Sequence, residues 1–104
     1  EANTALAGFV RQYPRSGYVP SARFWLGNAQ YAAREYKEAI GNFRLLLSGS
    51  PGHARAPEAA LSIANCQIEL KETRAARKTL EDLLRAYPQS EAAVAAKERL
   101  SRLK

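Results

Sequence analysis

The sequence predicts an all-α chain whose antiparallel helix pairs stack into a solenoid of about six helices. Three observations predict it. The chain repeats itself with a period of 37 residues: Tyr13-Pro14, Ser50-Pro51 and Tyr87-Pro88 are evenly spaced, and Pro20 matches Pro57 at the same offset. Between the prolines, apolar residues recur at three- and four-residue spacing with no sustained β-type alternation. The apolar positions also carry the period: Leu6, Phe9 and Val10 map onto Phe43, Leu46 and Leu47, and then onto Leu80, Leu83 and Leu84.

In order, the pattern predicts helices over 2–13, 20–33, 36–48, 57–70, 73–86 and 91–103. The first carries the Leu6, Phe9, Val10 stripe and ends before Pro14, because proline disfavours the α conformation in the residue it follows. The second and fourth open on Pro20 and Pro57, where the missing N–H costs nothing. Their core stripes are Ala22, Leu26 and Ala29, then Ala59, Ile63 and Cys66, with Ala96, Leu100 and Leu103 as the next copy. The third and fifth, each with a small residue (Ala39, Ala76) one turn ahead of its stripe, stop before Pro51 and Pro88. Ala2 is the matching small position of the first. Ser90 caps the last helix, whose outer side Lys97, Arg99 and Arg102 keep wet.

The phase sets the organisation of a single domain over 1–104. Residues 1–14 are the second helix of a truncated unit, 20–53 and 57–90 are complete units, and 91–104 is a capping helix. An uncapped first flank leaves apolar surface open and predicts self-association at that end.

Composition excludes several classes. A chain of 104 residues has room for one core, burying roughly 60 to 65% of the surface its unfolded form exposes, and no separate cofactor domain. With 46% hydrophobic and 25% charged residues it is ordinary globular material. No apolar run approaches the roughly 20 residues of a membrane span, and no leader is visible, so no compartment can be read from a targeting signal. The net charge of +6 is scattered over Arg11, Arg23, Arg34, Arg44 and Arg55, each among Glu or apolar neighbours. That reads as a solvated helical surface rather than a nucleic-acid groove.

No catalytic residue, cofactor or metal site is expected. Gly-rich phosphate loops and the serine-hydrolase and zinc-protease motifs are missing. One cysteine and one histidine cannot make the usual structural zinc sets. His53, in SPGHARAP, reads as a loop residue. Cys66 shares the Ala59, Ile63, Leu70 stripe and reads as an inert buried thiol. Glu81 and Asp82 point different ways round one helix and cannot pair as acid and base.

The stretch FWLGNAQY (24–31) carries the candidate binding surface. At about 100° per residue, Ala22, Leu26, Ala29 and Ala33 share one face, while Phe24, Asn28 and Tyr31 lie nearly opposite. In a stacked helix-pair solenoid the first helix of each pair lines the concave groove, so the second face should look into it. The next unit presents Leu61, Asn65 and Ile68 there, and Trp25 sits at the seam between core and groove. Phe24 and Tyr31 could equally pack on the neighbouring unit. Asn28 and Asn65, one repeat apart, suggest amide clamps on a peptide backbone.

Leu26-Gly27, Tyr36, Ala39, Phe43 and Pro51 have the spacing of the tetratricopeptide repeat, and Ile63-Ala64, Ala76, Leu80 and Pro88 repeat it with Thr73 in place of the tyrosine. The period exceeds the usual 34 by three residues, placed in the linkers GYVP and ARAP. Over nearly its whole length the chain resembles the C-terminal tetratricopeptide domain of the YbgF/CpoB family, cell division coordinators of the Tol-Pal system. YPRSGYVPSARFWLG and YPQSEAAVAAKERL carry the resemblance most specifically. Two positions depart from it: Ser50 replaces a tyrosine, and Arg34 stands where the helix link often has glycine.

The resemblance implies a non-catalytic periplasmic adaptor that binds TolA and coordinates septal peptidoglycan synthesis, by a bifunctional penicillin-binding protein, with outer-membrane constriction. It also implies a signal peptide and a trimerising coiled coil ahead of this domain. The implied TolA surface is Phe24, Asn28, Tyr31, Leu61, Asn65 and Ile68, with Trp25 beside it. Two other readings compete: the repeat-containing outer-membrane barrel-assembly lipoprotein, and a nucleic-acid-binding or chaperone-tail module favoured only by positive charge.

Overall fold

The computed structural model describes residues 2–103, with side chains from residue 5 onward; the expected small position at Ala2 therefore lies outside the described side chains. Six helices follow in order: α1 (Ala2–Gln12), α2 (Val19–Ala32), α3 (Tyr36–Gly49), α4 (Ala56–Glu69), α5 (Thr73–Ala86) and α6 (Glu91–Arg102). No strand occurs among the described residues. Every boundary falls within about one residue of the predicted one, because proline and cap chemistry act locally.

Pro20 and Pro57 occupy the second helical position of α2 and α4, one place later than expected. They are still in the first turn, where backbone N–H groups lack helical partners. Ser90 sits in extended conformation before α6 and its Oγ accepts from the Ala93 N–H at 3.0 Å, as expected of a cap.

The links from α2 to α3 and from α4 to α5 are the same device. Arg34 and Lys71 take left-handed φ of 65° and 64°. Around each, the two N–H groups after the helix return to its last turn: Arg34 and Glu35 to Tyr31 and Gln30, Lys71 and Glu72 to Ile68 and Gln67, at 2.8–3.0 Å. This is the Schellman arrangement, which normally uses glycine at the left-handed residue.

Helices adjacent in sequence pack antiparallel, and α2 also touches α4, as α4 touches α6. Among the described residues no such close backbone approach joins α1 to α3 or α3 to α5. The even helices therefore converge as an inner row and the odd ones splay as an outer row, giving a slab 42 × 27 × 17 Å. Its 17 Å depth fits two helix layers.

Two apolar clusters fill the space between the rows. The first joins Phe24 of α2, Ala39, Ile40, Phe43 and Leu46 of α3, and Ala56, Ala59, Ile63 and Cys66 of α4. The second joins Ala60 and Ala64 of α4, Leu80 and Leu83 of α5, and Ala92, Ala93 and Ala96 of α6. Leu47 packs on both. Gly27 is where α2 comes closest to α3: a Cβ built on it would lie 2.7 Å from two ring carbons of the fully buried Phe43.

Candidate functional site

The open face of the inner row is set by which α2 residues the core takes. Phe24 is only 4% exposed. Its ring meets Phe43 edge-on with centroids 6.1 Å apart, so the expectation that it faces the groove is corrected. α2 packs on three others, α1, α3 and α4, so its buried sector is wider than the stripe Ala22, Leu26, Ala29 and takes in Phe24. Ala33 lies just past the helix end and is exposed. Leu61, one period on from Phe24, behaves alike: it is half-buried and packs against the second cluster instead of standing free.

The ring that reaches solvent is Trp25, which is 50% exposed. It stands edge-on to Phe24 at 5.2 Å. The Arg55 guanidinium, at the start of α4, lies 5.3 Å from its centroid and 5.2 Å from that of Phe24. A cation over an indole face is an electrostatic attraction that limits how the ring can turn. Arg55 is itself paired with Glu58 at 3.2 Å.

His53 does more than fill a loop. Its Nδ1 accepts the Arg55 N–H at 3.0 Å, which leaves the hydrogen of the neutral ring on Nε2, 3.5 Å from the Ser21 hydroxyl. The turn entering α4 is thereby tied to α2 beside Trp25.

The two asparagines are not equivalent. Asn65 Oδ1 accepts from Arg99 Nε of α6 at 2.8 Å. Asn28 is half-buried and its side chain makes no hydrogen bond among the described residues; the position corresponding to Arg99 is Ser62, too short to repeat the contact. The pair of free amide clamps is thus reduced to one, Asn28, with Asn65 locked in place.

At the far end of α2, Tyr31 is 37% exposed and meets Tyr36 edge-on at 5.4 Å. Tyr36 donates to Glu69 at 3.4 Å. Partial burial, and then the Glu69 carboxylate, push the Tyr31 phenol above its ordinary value, so it remains a neutral donor. Ile68, one period on from Tyr31, is half-buried.

Trp25, Asn28 and Tyr31 thus stay accessible on the inner row, Arg99 joins them, and Phe24 and Leu61 leave for the core. Arg99 and Arg55 were missed as site residues, although the period held the signal: Arg99 lies two periods beyond Trp25. Cys66 is fully buried, and burial pushes its thiol up to about 11, which keeps it protonated and unreactive. No group of three metal-ligating side chains occurs among the described residues. No described helix is long and apolar enough to cross a membrane. The face offers a flat aromatic, an amide, a phenol and a guanidinium, which can grip a polypeptide.

A family model described as a tetratricopeptide repeat matches residues 30–100, from the last part of α2 to the last turns of α6. A search of curated proteins finds no match to the chain.

Proposed function

The chain belongs to the tetratricopeptide-repeat family, whose members are in general non-catalytic protein-interaction scaffolds, and from that premise we propose a periplasmic adaptor whose inner row binds a segment of TolA. The observation that carries the binding face is Trp25, a large ring left half in water beside the unpartnered Asn28. Aromatic anchors next to amides are what a protein partner's backbone and side chains use. The 104 residues act as one repeat domain, with units at 20–53 and 57–90 between a preceding second helix and a terminal cap.

The choice of TolA, the periplasm and cell division is supported by the resemblance of YPRSGYVPSARFWLG and YPQSEAAVAAKERL to the YbgF/CpoB family. In that setting the domain links the Tol-Pal system to septal peptidoglycan synthesis, with a penicillin-binding protein as a further partner.

Calorimetry of the chain against purified TolA fragments tests both levels. Trp25→Ala should weaken binding by about tenfold or more, as expected for an interface anchor, and Asn28→Ala with Tyr31→Ala should do likewise. No binding to any TolA segment sinks the choice of partner. Undiminished binding by both variants sinks the inner face.

A further inference from the structure

The outer face carries a feature that the inner-row reading does not use. We propose a second docking site there, for an acidic protein segment that seats one apolar side chain in a cavity between α3 and α5.

The cavity encloses about 460 Å³. Ala60 and Ile63 of α4 form its floor, Leu47 and Leu83 stand on its sides, and Arg44 and Lys78 are at its rim. It exists because α3 and α5 both rest on α4 while their backbones stay apart. The preceding unit treats the same position differently. Arg23 stands in the register of Ala60, and its guanidinium reaches across to Asn42 Oδ1 at 3.4 Å, while Asn42 donates to Gln30 at 2.7 Å. Ala60 has no long side chain to reach across, and Thr79, in place of Asn42, keeps only the second bond, donating to Gln67 at 2.7 Å on the cavity wall. The hollow is open to solvent, and its floor of Ala60 and Ile63 with Leu47 and Leu83 beside it can take a leucine side chain.

Charge chooses the rest of the occupant. Ala75 and Lys78 also line a neighbouring depression with Lys71, Arg74 and Arg77, where Glu72 is the acid among the lining residues. At the rim, Asp82 is already held by Lys78 at 3.1 Å and by Arg85. Arg44, which also lines the cavity, makes no ion pair among the described residues. A segment with acidic residues flanking one aliphatic side chain satisfies both parts. A nucleic acid would use the depression but has nothing for the hollow.

The test is fluorescence anisotropy of the chain with a labelled peptide of six glutamates around one leucine, compared with the same peptide carrying glycine there. The leucine peptide should bind about tenfold tighter. Ala60→Arg with Thr79→Asn rebuilds the bridge of the first unit and should erase that preference, with the thermal melt checked alongside. Lys71→Ala with Arg74→Ala, both at exposed positions that do not depend on core packing, should weaken both peptides about fivefold. Trp25→Ala should leave the affinity for both peptides as it is while weakening TolA binding, which separates this site from the inner face. Equal binding of the two peptides, a leucine preference that survives the rebuilt bridge, or tighter binding of a single-stranded oligonucleotide would overturn the proposal.

Discussion

Gly27 and Phe43 occupy one another's space: the face of α2 that lacks a Cβ receives the ring of Phe43, and a methyl there would sit 2.7 Å from its carbons. One period later the pair is Ala64 and Leu80, both fully buried in the second cluster. The small residue has grown as its large partner has shrunk. Volume is therefore conserved across the crossing, which is how a close-packed core tolerates change.

Gly27→Ala should destabilise the chain by about 1–3 kcal/mol, because Phe43 is enclosed and cannot swing aside. Gly27→Ala with Phe43→Leu, copying the second unit, should cost clearly less than the sum of the two single changes. Urea denaturation of all three variants measures this. Strict additivity would mean that the two residues do not share the space.

Arg34 and Lys71 hold left-handed backbone that costs a residue with a Cβ roughly 1–2 kcal/mol. Arg34→Gly and Lys71→Gly should each raise stability, by about 0.5–1 kcal/mol after the greater freedom of glycine in the unfolded chain is subtracted. The sites lie at corresponding places in different units, so the gains should add. A loss in either thermal or urea midpoint would contradict the strain argument.

Stability should fall in alkali through Cys66. Its pKa is raised in the fold to about 11, from 9.0 as the ordinary value, so the native state keeps a proton that the unfolded chain releases. The contribution is complete below pH 9 and is lost as pH rises through about 11, amounting to about 2–3 kcal/mol. Cys66→Ala should flatten that part of the profile, whatever its offset at neutral pH. If wild type and variant decline in parallel between pH 9 and 11, the buried thiol is not the cause.

Tyr87 donates its hydroxyl to the Pro51 carbonyl at 2.7 Å, tying the end of α5 to the link before α4. Tyr87→Phe should cost about 0.5–1.5 kcal/mol with no change in helix content by circular dichroism. Ser50, in the register of Tyr87, has no phenol to make this tie, so Ser50→Ala should fall well below that cost. Equal losses at the two positions would show the tether to be unimportant.

Trp25 should report its own exposure. Its emission should be that of a partly hydrated indole, quenched by iodide in the native chain. Arg55→Ala, which removes the cation from above the ring, should increase that quenching while costing less than about 1 kcal/mol of stability. A native spectrum that iodide leaves unchanged would contradict the half-open ring.

The sequence by itself determined the helices, their order and their stacking. These follow from proline placement, the Ser90 cap and a 37-residue period, all legible from neighbours along the chain. Helical arithmetic fixed the angles between the side chains of residues 24 to 31, and so which of them share a face. Only the tertiary structure decided where the buried sector begins and ends. Phe24 and Trp25 differ by one residue, yet α3 and α4 together enclose the first and leave the second in water. The same holds for Asn65, claimed by Arg99 across 34 residues of chain, and for Ala60, whose short side chain leaves a cavity between two helices whose backbones stay apart. Period sets which residues are equivalent; what each one meets depends on the partner residues that packing brings to it.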